Sequence, residues 1–599
     1  MCGITGVINF NKKKINARNC VEKINNYQRS RGPDGHSIWS SNDNLITFGH
    51  TRLSIIDLSK EGAQPFISYD QNYVITFNGE IYNYKELKDF LIKKNVKFKS
   101  NSDTEVILES YKYWGIDFLE KIRGMYAFCI FDIKKRNIIL ARDPFGIKPL
   151  YYSEINGVFY FASQAKSLLQ IENIDDETSK KGIINYFLWG NINEPDTIYK
   201  NIKVLKRGSY LIINSEGLKN FHEFANIKKE ILKNEFKFFK KDTDASDYLK
   251  EILTETVKYH QVSDVPVSYL LSSGIDSTAI LNNVNKTDNS SALTVDFDEI
   301  DEKFNESNIA FKIAKEKKIP HKIKKFNRNN AKELIEFFYQ NMDNPTNDGF
   351  NNFIISKLAN DEASKVIISG IGGDEFFCGY PSFKRIPRII KVRNLLPKSK
   401  ILEDFFTGKF YNFLKNNKFN TKYSGVYSYG NNLQNSFFLQ RCLFLPHEIF
   451  EEIKYYMTEK EFFETFEEIN LFTQLKEDIS GIPSEKLKIM YLEIKYYLCS
   501  KLLTDADWTS MSNSVEMRVP FVDWFFFKKI IPILNSNIKI DKKFLLSTCD
   551  TNLSKELEER PKTGFMIPHE TYLKDIFKVN NKYSHPIKDW SVNSFKKYL

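Results

Sequence analysis

The order of hydrophobic and polar residues changes character between the first and second parts of the chain. In the first part, short apolar or alternating runs predict strands, and two stretches with apolar residues every three or four positions predict helices. Strands interrupted by separate helices indicate an α+β layered structure. The strands are predicted at 3–10, 73–77, 128–132 and 137–141, with the last two as a hairpin, and the helices at 85–94 and 104–114.

The second part repeats the order strand, small-residue turn, helix. This order is typical of an α/β parallel sheet that binds nucleotides beyond the carboxyl ends of its strands. From about residue 381 the pattern becomes largely helical and aromatic. Apolar strands are predicted at 266–271, 292–297 and 366–369, and helices from Thr278 onward and at 307–317.

The length of the chain requires more than one hydrophobic core. With 599 residues, of which 42% are apolar, the chain predicts at least two domains. We predict a first domain at 2–212, a polar, lysine-rich linker at 213–244 and a second domain at 245–599.

Composition narrows the class of protein. No apolar run approaches ~18 residues and the amino terminus lacks a secretory pattern, so we expect a soluble, cytoplasmic protein with no membrane partner. The net charge of +10 comes from 86 basic and 76 acidic residues dispersed along the chain, which disfavours a nucleic-acid partner. The seven cysteines are scattered without a Cys-x-x-Cys pair, so neither a disulfide framework nor a zinc site is expected.

Two small-residue loops follow predicted strands of the second part. The first, at 271–278, opens a helix, so its backbone N–H groups, hydroxyls and helix dipole converge on a point that favours a phosphate. It lacks the lysine of the usual P-loop, and Asp276 would repel a bare polyphosphate unless Mg²⁺ lies between them. The second loop, at 370–373, leads into Asp374, which would complete a divalent-metal site with Asp276.

Cys2, directly behind Met1, offers a different chemistry. If Met1 is removed, this residue carries both a thiol and a free α-amino group. The thiolate is a strong nucleophile, and an amine with a pKa of roughly 7.7 to 8.0 can take its proton near neutral pH. Cys2 is then a self-contained catalytic unit, whereas an isolated Met-Cys start is ordinarily an accident of sequence.

Ordered motifs along nearly the whole chain decide between these two interpretations of Cys2. They stand at 2–4 (CGI), 31–35 (RGPDG), 49–53 (GHTRL), 78–83 (NGEIYN), 102–105 (SDTE), 142–151 (RDPFGIKPLY), 271–278, 372–375 (GGDE), 514–521 (SVEMRVPF) and 560–565 (RPKTGF). In this order they resemble the glutamine-hydrolysing asparagine synthetase family. Its members join a class II glutamine amidotransferase domain to an ATP-pyrophosphatase synthetase domain.

The resemblance implies an αββα first domain of the N-terminal nucleophile type and a role for each motif residue. Cys2 would attack the glutamine side-chain amide, and its own α-amine would relay the proton, giving a thioester and free ammonia. Asn78 and the backbone N–H of Gly79 would form the oxyanion hole. The residues implied to bind glutamine are Arg52, Asn78, Glu80 and Asp103.

In the second domain, the resemblance implies that ATP adenylates a carboxylate and that ammonia then displaces AMP. Lys562 would act as a catalytic residue that neutralises phosphate charge in the transition state, and Asp276 and Asp374 would hold Mg²⁺. The family's internal ammonia tunnel and, by analogy, a homodimer are expected as well. The residues implied to bind ATP are Leu271, Ser272, Gly274, Asp276, Ser277, Thr278, Val295, Ser369, Gly370 and Asp374.

Three positions depart from the family pattern. Ile371 stands where family members carry a glutamate that serves ammonia addition as a base, and Asp348 where they carry an arginine that binds aspartate. An isoleucine cannot accept a proton, and an aspartate would repel an α-carboxylate but could bond hydroxyl or amino groups. Trp508 also replaces an arginine of the commoner pattern.

We therefore predict a glutamine-hydrolysing, ATP-dependent ligase that converts aspartate to asparagine and releases glutamate, AMP and pyrophosphate. Amidation of another carboxylate, such as a uronic acid in surface polysaccharide biosynthesis, is the alternative that Ile371 and Asp348 motivate. A non-catalytic regulatory or storage protein of the same fold is a third hypothesis, disfavoured because every glutaminase motif residue is present. The sequence leaves open which group replaces the missing glutamate base.

Overall fold

Antiparallel sheets form the first part of the molecule. The computed structural model of the protein describes residues 2–233, 235–284, 290–297, 306–326, 331–560, 583 and 586–599. The strands of the first part are β1 (Cys2–Ile8), β2 (Gly35–Ser40), β3 (Ile46–Arg52), β4 (Phe66–Ile67), β5 (Tyr73–Ile81), β6 (Gly124–Asp132), β7 (Asn137–Arg142), β8 (Tyr151–Ile155), β9 (Val158–Ala162), β10 (Lys203–Val204), β11 (Ser209–Ile213) and β12 (Lys219–Glu223). They form two sheets, with the strand orders β10-β8-β9-β1-β3-β2 and β12-β11-β7-β6-β5-β4.

Apolar residues from both sheets share one core, which is why the sheets stack. Ile4 of β1 and Phe48 of β3 belong to the same buried cluster as Val74 of β5 and Leu140 of β7. Because successive residues of a strand point to opposite faces, the other apolar residues of these strands lie on the outer faces of the sheets. Those outer faces need helices to cover them.

Helices cover both outer faces and complete the αββα sandwich that the resemblance implies. Val21 packs in the cluster that contains Val7 of β1, and Ile107 in the cluster that contains Phe128 of β6. The predicted helices at 85–94 and 104–114 are confirmed, with bounds that differ by one residue. The helices of this part are α1 (Ala17–Tyr27), α2 (Tyr84–Lys93), α3 (Asp103–Trp114), α4 (Ala165–Leu168) and α5 (Lys180–Trp189).

The stretch predicted as a linker contains regular structure. Its residues Lys219–Glu223 form the edge strand β12, paired with β11, and Ile227–Leu232 form a short helix, α6, that buries Ile227 and Ile231. Most β12 side chains are exposed, so this strand lacks the apolar alternation by which strands are recognised in a sequence. The stretch thus contributes to the second sheet and to the core, which its polar composition does not indicate. The boundaries of the two domains stay predictions.

A parallel sheet forms the centre of the second part, as predicted. Val366 and Ile368 of one interior strand are buried in one apolar cluster, and Ile367 is buried in another. A strand covered on both faces needs consecutive apolar residues, which explains the continuous runs in the sequence. The strands are β13 (Val267–Leu270), β14 (Ser291–Phe297), β15 (His321–Phe326), β16 (Val366–Ile368) and β17 (Glu516–Arg518), in the order β15-β14-β13-β16-β17.

Helices surround the parallel sheet and make up most of the rest of the second part. None of the described helices is both long and apolar enough to cross a membrane. A π-helical segment, Glu493–Leu502, joins α21 to α22 in the following series. The helices are α7 (Asp242–His260), α8 (Ile275–Asn282), α9 (Ser307–Glu316), α10 (Ala331–Asn341), α11 (Phe350–Asp361), α12 (Gly373–Phe376), α13 (Ser382–Asn394), α14 (Lys400–Asp404), α15 (Tyr411–Asn416), α16 (Val426–Tyr429), α17 (Leu433–Arg441), α18 (Pro446–Ile453), α19 (Glu459–Ile469), α20 (Leu471–Ile479), α21 (Glu485–Leu492), α22 (Leu503–Ser512), α23 (Trp524–Leu534), α24 (Lys542–Ser547), α25 (Ser554–Glu559) and α26 (Pro586–Tyr598).

Buried arginines join the two parts of the molecule. Arg31 of the first part pairs with Asp507 of α22 at 2.8 Å, and Arg123 pairs with Asp523 at 2.8 Å. From the other side, Arg518 of β17 pairs with Glu80 of β5 at 3.0 Å. Since removing one partner would leave a buried charge uncompensated, these pairs fix how the two parts sit against each other.

Candidate active sites

Cys2, the first residue of β1, is buried where the two parts of the molecule meet. Its backbone N–H donates to Asn78 Oδ1 at 3.1 Å, and its carbonyl accepts a hydrogen bond from Arg31 Nε at 3.1 Å. Arg31 also pairs with Asp507 of the second part. Contacts from both parts therefore fix the position of Cys2.

Opposing effects act on the Cys2 thiol. Burial raises its pKa above the ordinary value, and the Glu516 carboxylate raises it as well. The positive amino terminus, a hydrogen bond from the Leu53 backbone and the Arg52 guanidinium act to lower it. Because the net effect on the pKa is a rise, the thiol needs a nearby base to become a thiolate near neutral pH.

The end of β5 presents buried polar atoms that no described residue satisfies. Asn78 Nδ2 and Glu80 Oε1 have no hydrogen-bond partner among the described residues. The two residues are two positions apart on a strand, so their side chains project from the same face. Between them, Gly79 has a φ of +152°, and an added Cβ would lie 2.1 Å from Met125 O. Buried polar atoms seldom lack partners, so this end of β5 has the character of a ligand site.

Arg52 lies beside Cys2, because the two residues are register partners across β1 and β3. Its guanidinium donates to the backbone carbonyl of Ser59 at 2.8 Å and to that of Asp57. Among the described residues, no carboxylate forms an ion pair with it. These bonds to neutral carbonyls fix the guanidinium and leave its positive charge available for an anion.

Two acidic side chains, Glu80 and Asp103, lie together at the end of β5. Asp103, at the start of α3, accepts a hydrogen bond from Ile81 N at 3.0 Å, and burial raises its pKa to about 6. Burial also raises the pKa of Glu80, and Asp103 adds to that rise, whereas Arg518 opposes it. An ammonium group bound between the two carboxylates would stabilise their ionised forms. The structure thus brings together Cys2 and the residues predicted to bind glutamine.

The two small-residue loops of the second part lie side by side. They follow β13 and β16, which are neighbours in the parallel sheet. A Cβ added at Gly373 would lie 2.4 Å from Asp276 Oδ1, and one at Gly370 would lie 3.0 Å from Asp276 Cβ. Since only glycine allows this approach, the glycines of the second loop explain why the carboxylate of the first can lie against it.

Hydroxyl groups close the first loop on itself at the start of α8. Ser272 Oγ lies 3.0 Å from Ser277 Oγ and accepts from Gly274 N at 3.1 Å, and Thr278 Oγ1 donates to Gly274 O at 2.8 Å. The loop therefore stands at the carboxyl end of β13, where ligands of parallel sheets bind. The remaining residues predicted to bind ATP are buried at the ends of three adjacent strands: Leu271, Val295 and Ser369.

Lys542, which no motif of the sequence indicates, bridges the two predicted metal ligands. Its Nζ lies 2.9 Å from Asp374 Oδ1 and donates a hydrogen bond to Asp276 Oδ1. Although burial acts to lower it, these carboxylates raise the pKa of Lys542. The two aspartates thus converge on one cation position, and their oxygens are the ligand type that Mg²⁺ prefers. Lys562, predicted to be catalytic, lies outside the described residues.

Mg²⁺ at Asp276 and Asp374 would need further ligands. Among the described residues, no group of three or more His, Cys, Asp or Glu side chains could hold a metal ion. Mg²⁺ in nucleotide sites commonly takes one or two carboxylates, with phosphate oxygens and water completing its shell. The donor set in this chain therefore fits a nucleotide-bound Mg²⁺ rather than a permanent metal centre.

Two of the three positions that depart from the family pattern, Ile371 and Trp508, pack against neighbouring side chains. Ile371 packs among the apolar residues on both sides of the parallel sheet. The Trp508 indole N–H donates to Asp505 Oδ1 at 3.1 Å, and its ring lies 5.0 Å from that of Phe338. Ile371 and Trp508 therefore have structural partners of their own.

Asp348 has charged neighbours that the sequence analysis did not identify. Lys501 is buried and donates to Asn347 Oδ1, and its ammonium forms no ion pair with a described carboxylate. Burial lowers the pKa of Lys501, while Asp348 and Asp505 act to raise it. Burial, with Asp348 adding to it, raises the pKa of Asp505 to about 7. Asp348 is far from Lys501 and Asp505 in the sequence, so no local pattern indicates that it is their neighbour.

Two small cavities lie between the parts of the molecule. The larger, of about 40 Å³, is lined by residues that include Thr346 and Asp505, and the smaller, of about 10 Å³, reaches Asp507. Both are lined by Arg142 and Tyr151, so they adjoin each other. Asp507 holds Arg31, which bonds Cys2, and Asp505 lies near Asp348. The cavities therefore lie between the surroundings of the two candidate sites.

Both parts of the chain match known families. Residues 1–225 match the family model described as glutamine amidotransferase domain, and residues 248–582 match the one described as asparagine synthase. The chain is 31% identical to glutamine-hydrolysing asparagine synthetase 1 of Bacillus subtilis (strain 168), over 96% of this chain and 88% of that protein. It is 33% identical to asparagine synthetase 3 of the same organism, over 47% of this chain and 44% of the relative. It is also 28% identical to amidase chry2 of Gibberella zeae, over 64% and 60%.

An αββα sandwich that buries Cys2, followed by a parallel sheet with paired small-residue loops, together with these matches, defines a glutamine-dependent, ATP-using ligase. The extent of the sequence identity makes the assignment more specific. The chain belongs to the glutamine-hydrolysing asparagine synthetase family.

Proposed function

We propose that the protein transfers the amide nitrogen of glutamine to an ATP-activated carboxylate, with aspartate as the acceptor. In the first site, the Cys2 thiolate attacks the glutamine amide carbon, ammonia leaves, and water hydrolyses the thioester to glutamate. In the second, an oxygen of the acceptor carboxylate attacks the α-phosphorus of ATP and pyrophosphate leaves. Ammonia then attacks the acyl carbon, loses a proton, and displaces AMP.

The observation that carries this proposal is the buried Asn78 amide beside Cys2. Asn78 Oδ1 holds the Cys2 nitrogen, and its Nδ2 has no partner among the described residues. A donor fixed in this way next to a nucleophile would stabilise the oxyanion that forms on a substrate amide. Arg52 would bind the glutamine carboxylate, and Glu80 and Asp103 its ammonium group.

The loop pair at β13 and β16 would bind ATP in the second site. Backbone N–H groups and hydroxyls of Ser272 and Ser277 would contact the pyrophosphate, and Asp276 and Asp374 would hold Mg²⁺. Lys542 bridges these two carboxylates. When nucleotide and metal bind, its ammonium would move toward the phosphates and add positive charge there.

The two adjoining cavities offer a route for ammonia between the sites. A volume of about 40 Å³ is larger than the roughly 10 to 15 Å³ that one water molecule needs, and the smaller cavity is close to that minimum. Ammonia is similar in size to water. Passage inside the protein would keep it from the solvent, where it would become protonated and lose its nucleophilicity.

Lys501 supports aspartate as the acceptor despite Asp348. This buried ammonium has no carboxylate partner among the described residues and lies close to the position where the family carries arginine. It can therefore bind a carboxylate of the acceptor, while Asp348 binds its amino group. The names of the two Bacillus subtilis relatives also favour aspartate.

Amidation of a different carboxylate, such as a uronic acid, is the second candidate. Asp348 and Ile371 favour it, because they replace the arginine that binds aspartate and the glutamate base of the family pattern. A relative named as an amidase also matches over 64% of this chain.

Pyrophosphate release distinguishes the two acceptors. With ATP, Mg²⁺ and ammonium, we expect aspartate to stimulate release and glucuronate or galacturonate to leave it at the background rate. Lys501→Met should raise the KM for aspartate more than tenfold with little change in the KM for ATP. Lys495→Met is the matched control, because Lys495 is paired with Asp478 at 2.5 Å. Stimulation by a uronic acid alone would refute aspartate as the acceptor.

A further inference from the structure

A segment of the second part, from α22 to β17, packs against the residues that surround Cys2. At one end of β17, the Ser514 hydroxyl donates to the carbonyl of Ser30 at 2.6 Å. At the other end, Arg518 pairs with Glu80 at 3.0 Å. Glu516 lies midway between these contacts. It is fully buried and accepts a hydrogen bond from Arg518 Nε at 2.6 Å.

Cys2 lies between the same two contacts on the opposite side. Its carbonyl bonds Arg31, the residue after Ser30, and its nitrogen bonds Asn78, two residues before Glu80. The segment 514–518 and Cys2 therefore both contact residues 30–31 on one side and residues 78–80 on the other. This places the Glu516 side chain, which shares a face of β17 with Arg518, toward Cys2.

We propose that Glu516 is a positioning residue of the glutaminase site, whose carboxylate is the counter-ion of the Cys2 α-ammonium in the chain that begins at Cys2. The proposal rests on the proposed function, in which that amine relays the proton of the thiol. It means that the nucleotide-binding part supplies a group to the nucleophile of the first part. Glutamine hydrolysis then depends on correct docking of the two parts.

The charges around Cys2 are consistent with this role. The Glu516 carboxylate is the acidic group that acts on the pKa of the Cys2 thiol, raising it, while Arg52 acts in the opposite direction. Although burial acts to raise it, the positive amino terminus of the chain that still carries Met1 and the Arg518 guanidinium keep the pKa of Glu516 below its ordinary value, so the group is ionised. Among the described residues, the titratable and charged groups around Cys2 are Arg31, Asp34, His50, Arg52, Glu80, Asp103, Lys148, Asp507, Glu516 and Arg518.

Removing the charge of Glu516 should change the two pKa values of Cys2 in the same direction. A nearby carboxylate raises the pKa of an ammonium and of a thiol, since it favours the positive form of one and disfavours the negative form of the other. Glu516→Gln keeps the size of the side chain and an oxygen for Arg518 Nε but removes the charge. Both pKa values of Cys2 should then fall. The ascending limb of glutaminase activity against pH should move to lower pH by roughly one unit.

Two measurements on the full-length protein test this, after mass spectrometry has verified that Met1 is absent. One is the pH profile of kcat/KM for glutamate release from glutamine. The other is the rate at which iodoacetamide alkylates Cys2, measured by peptide mass against pH, which reports on the thiol without requiring turnover. Glu493→Gln is the matched control, because Glu493 is equally buried but pairs with Arg441.

We expect the ascending limbs of the kcat/KM profile and of the alkylation profile to move to lower pH in Glu516→Gln and to stay in place in Glu493→Gln. Unmoved limbs in folded Glu516→Gln, or an equal movement in the control, would overturn the inference. If circular dichroism finds Glu516→Gln unfolded, Glu516→Asp carries the test. Withdrawing the carboxylate by one methylene should give a smaller shift in the same direction, and a limb at the wild-type position would refute the proposal. A wild-type protein without glutaminase activity would count against the proposed function, whereas the alkylation profiles would still test the charge of Glu516.

Discussion

Replacing Asn78 by alanine tests the oxyanion hole of the glutamine site. The side chain is fully buried, its Oδ1 accepts from Cys2 N at 3.1 Å, and its Nδ2 has no partner among the described residues. Alanine removes both groups at once. The free amide donor is the one available to a substrate oxyanion, so its loss should affect turnover more than glutamine binding.

The expected size of the effect follows from these two contacts. Removing one oxyanion donor typically lowers kcat by about 10² to 10³, or about 2.7 to 4 kcal/mol of transition-state stabilisation. Loss of the hydrogen bond to Cys2 N, which is an ammonium group in the chain that begins at Cys2, costs roughly 1.5 to 3 kcal/mol of folding stability. The protein should therefore stay folded while glutaminase turnover falls by two to three orders of magnitude.

The assay compares two activities of the same preparation. Glutamate release from glutamine should fall by the stated factor, and ammonium-supported AMP formation should stay near the wild-type rate because the second site is untouched. Asn83→Ala is the matched control. Asn83 lies just beyond β5, and among the described residues its side chain bonds only the backbone of residues 121 and 123. Retention of more than half the glutaminase rate in Asn78→Ala, or a parallel loss of both activities, would refute the assigned role.

Three further predictions concern the nucleophile, the cation position and a buried acid. Cys2→Ala should abolish glutamine-dependent product and leave synthesis from added ammonium, whereas retained glutamine use would contradict the assigned nucleophile. Asp276→Asn should block acceptor-dependent pyrophosphate release and spare glutaminase, measured side by side; unchanged ATP use would count against the loop assignment. The pKa of Asp505 is about 7 in the folded protein, above the roughly 3.9 of an unfolded chain, so its ionisation costs folding stability as pH rises from about 4 to 7. Asp505→Asn should therefore stabilise the fold more at pH 8 than at pH 5, with a difference of up to about 3 kcal/mol that thermal unfolding measures as a larger rise in melting temperature at pH 8. An equal change at both pH values would contradict this.

Features that are local in the sequence could be predicted. The strands at 73–77 and 366–369 and the helix at 104–114 follow from apolar periodicity within a few residues, and the structure has them within one to four residues of the predicted bounds. The order of the motifs was enough to predict that Cys2, Arg52 and Asn78 lie close together, as they do in the structure. In each of these cases the information lies in adjacent residues or in a resemblance that spans the chain.

Contacts between distant residues could not be predicted. Arg518 and Glu80 are 438 positions apart, and Lys542 and Asp276 are 266 positions apart, so neither pair has a common periodicity. Lys501 and Asp505 acquire their shifted pKa values from burial, which depends on packing of helices far apart in the chain. The edge strand β12 was also missed, since an exposed strand need not alternate.

Transfer of the glutamine amide nitrogen is the central claim, and a labelling experiment tests it directly. The protein is incubated with amide-¹⁵N glutamine, ATP, Mg²⁺ and aspartate in a buffer that contains excess unlabelled ammonium, and the product amide is weighed by mass spectrometry. We predict asparagine that carries ¹⁵N, together with equal amounts of glutamate and AMP, because internal ammonia reaches the second site ahead of the solvent pool. Glutamate formed without any labelled amide, or asparagine that carries only unlabelled nitrogen, would contradict the account.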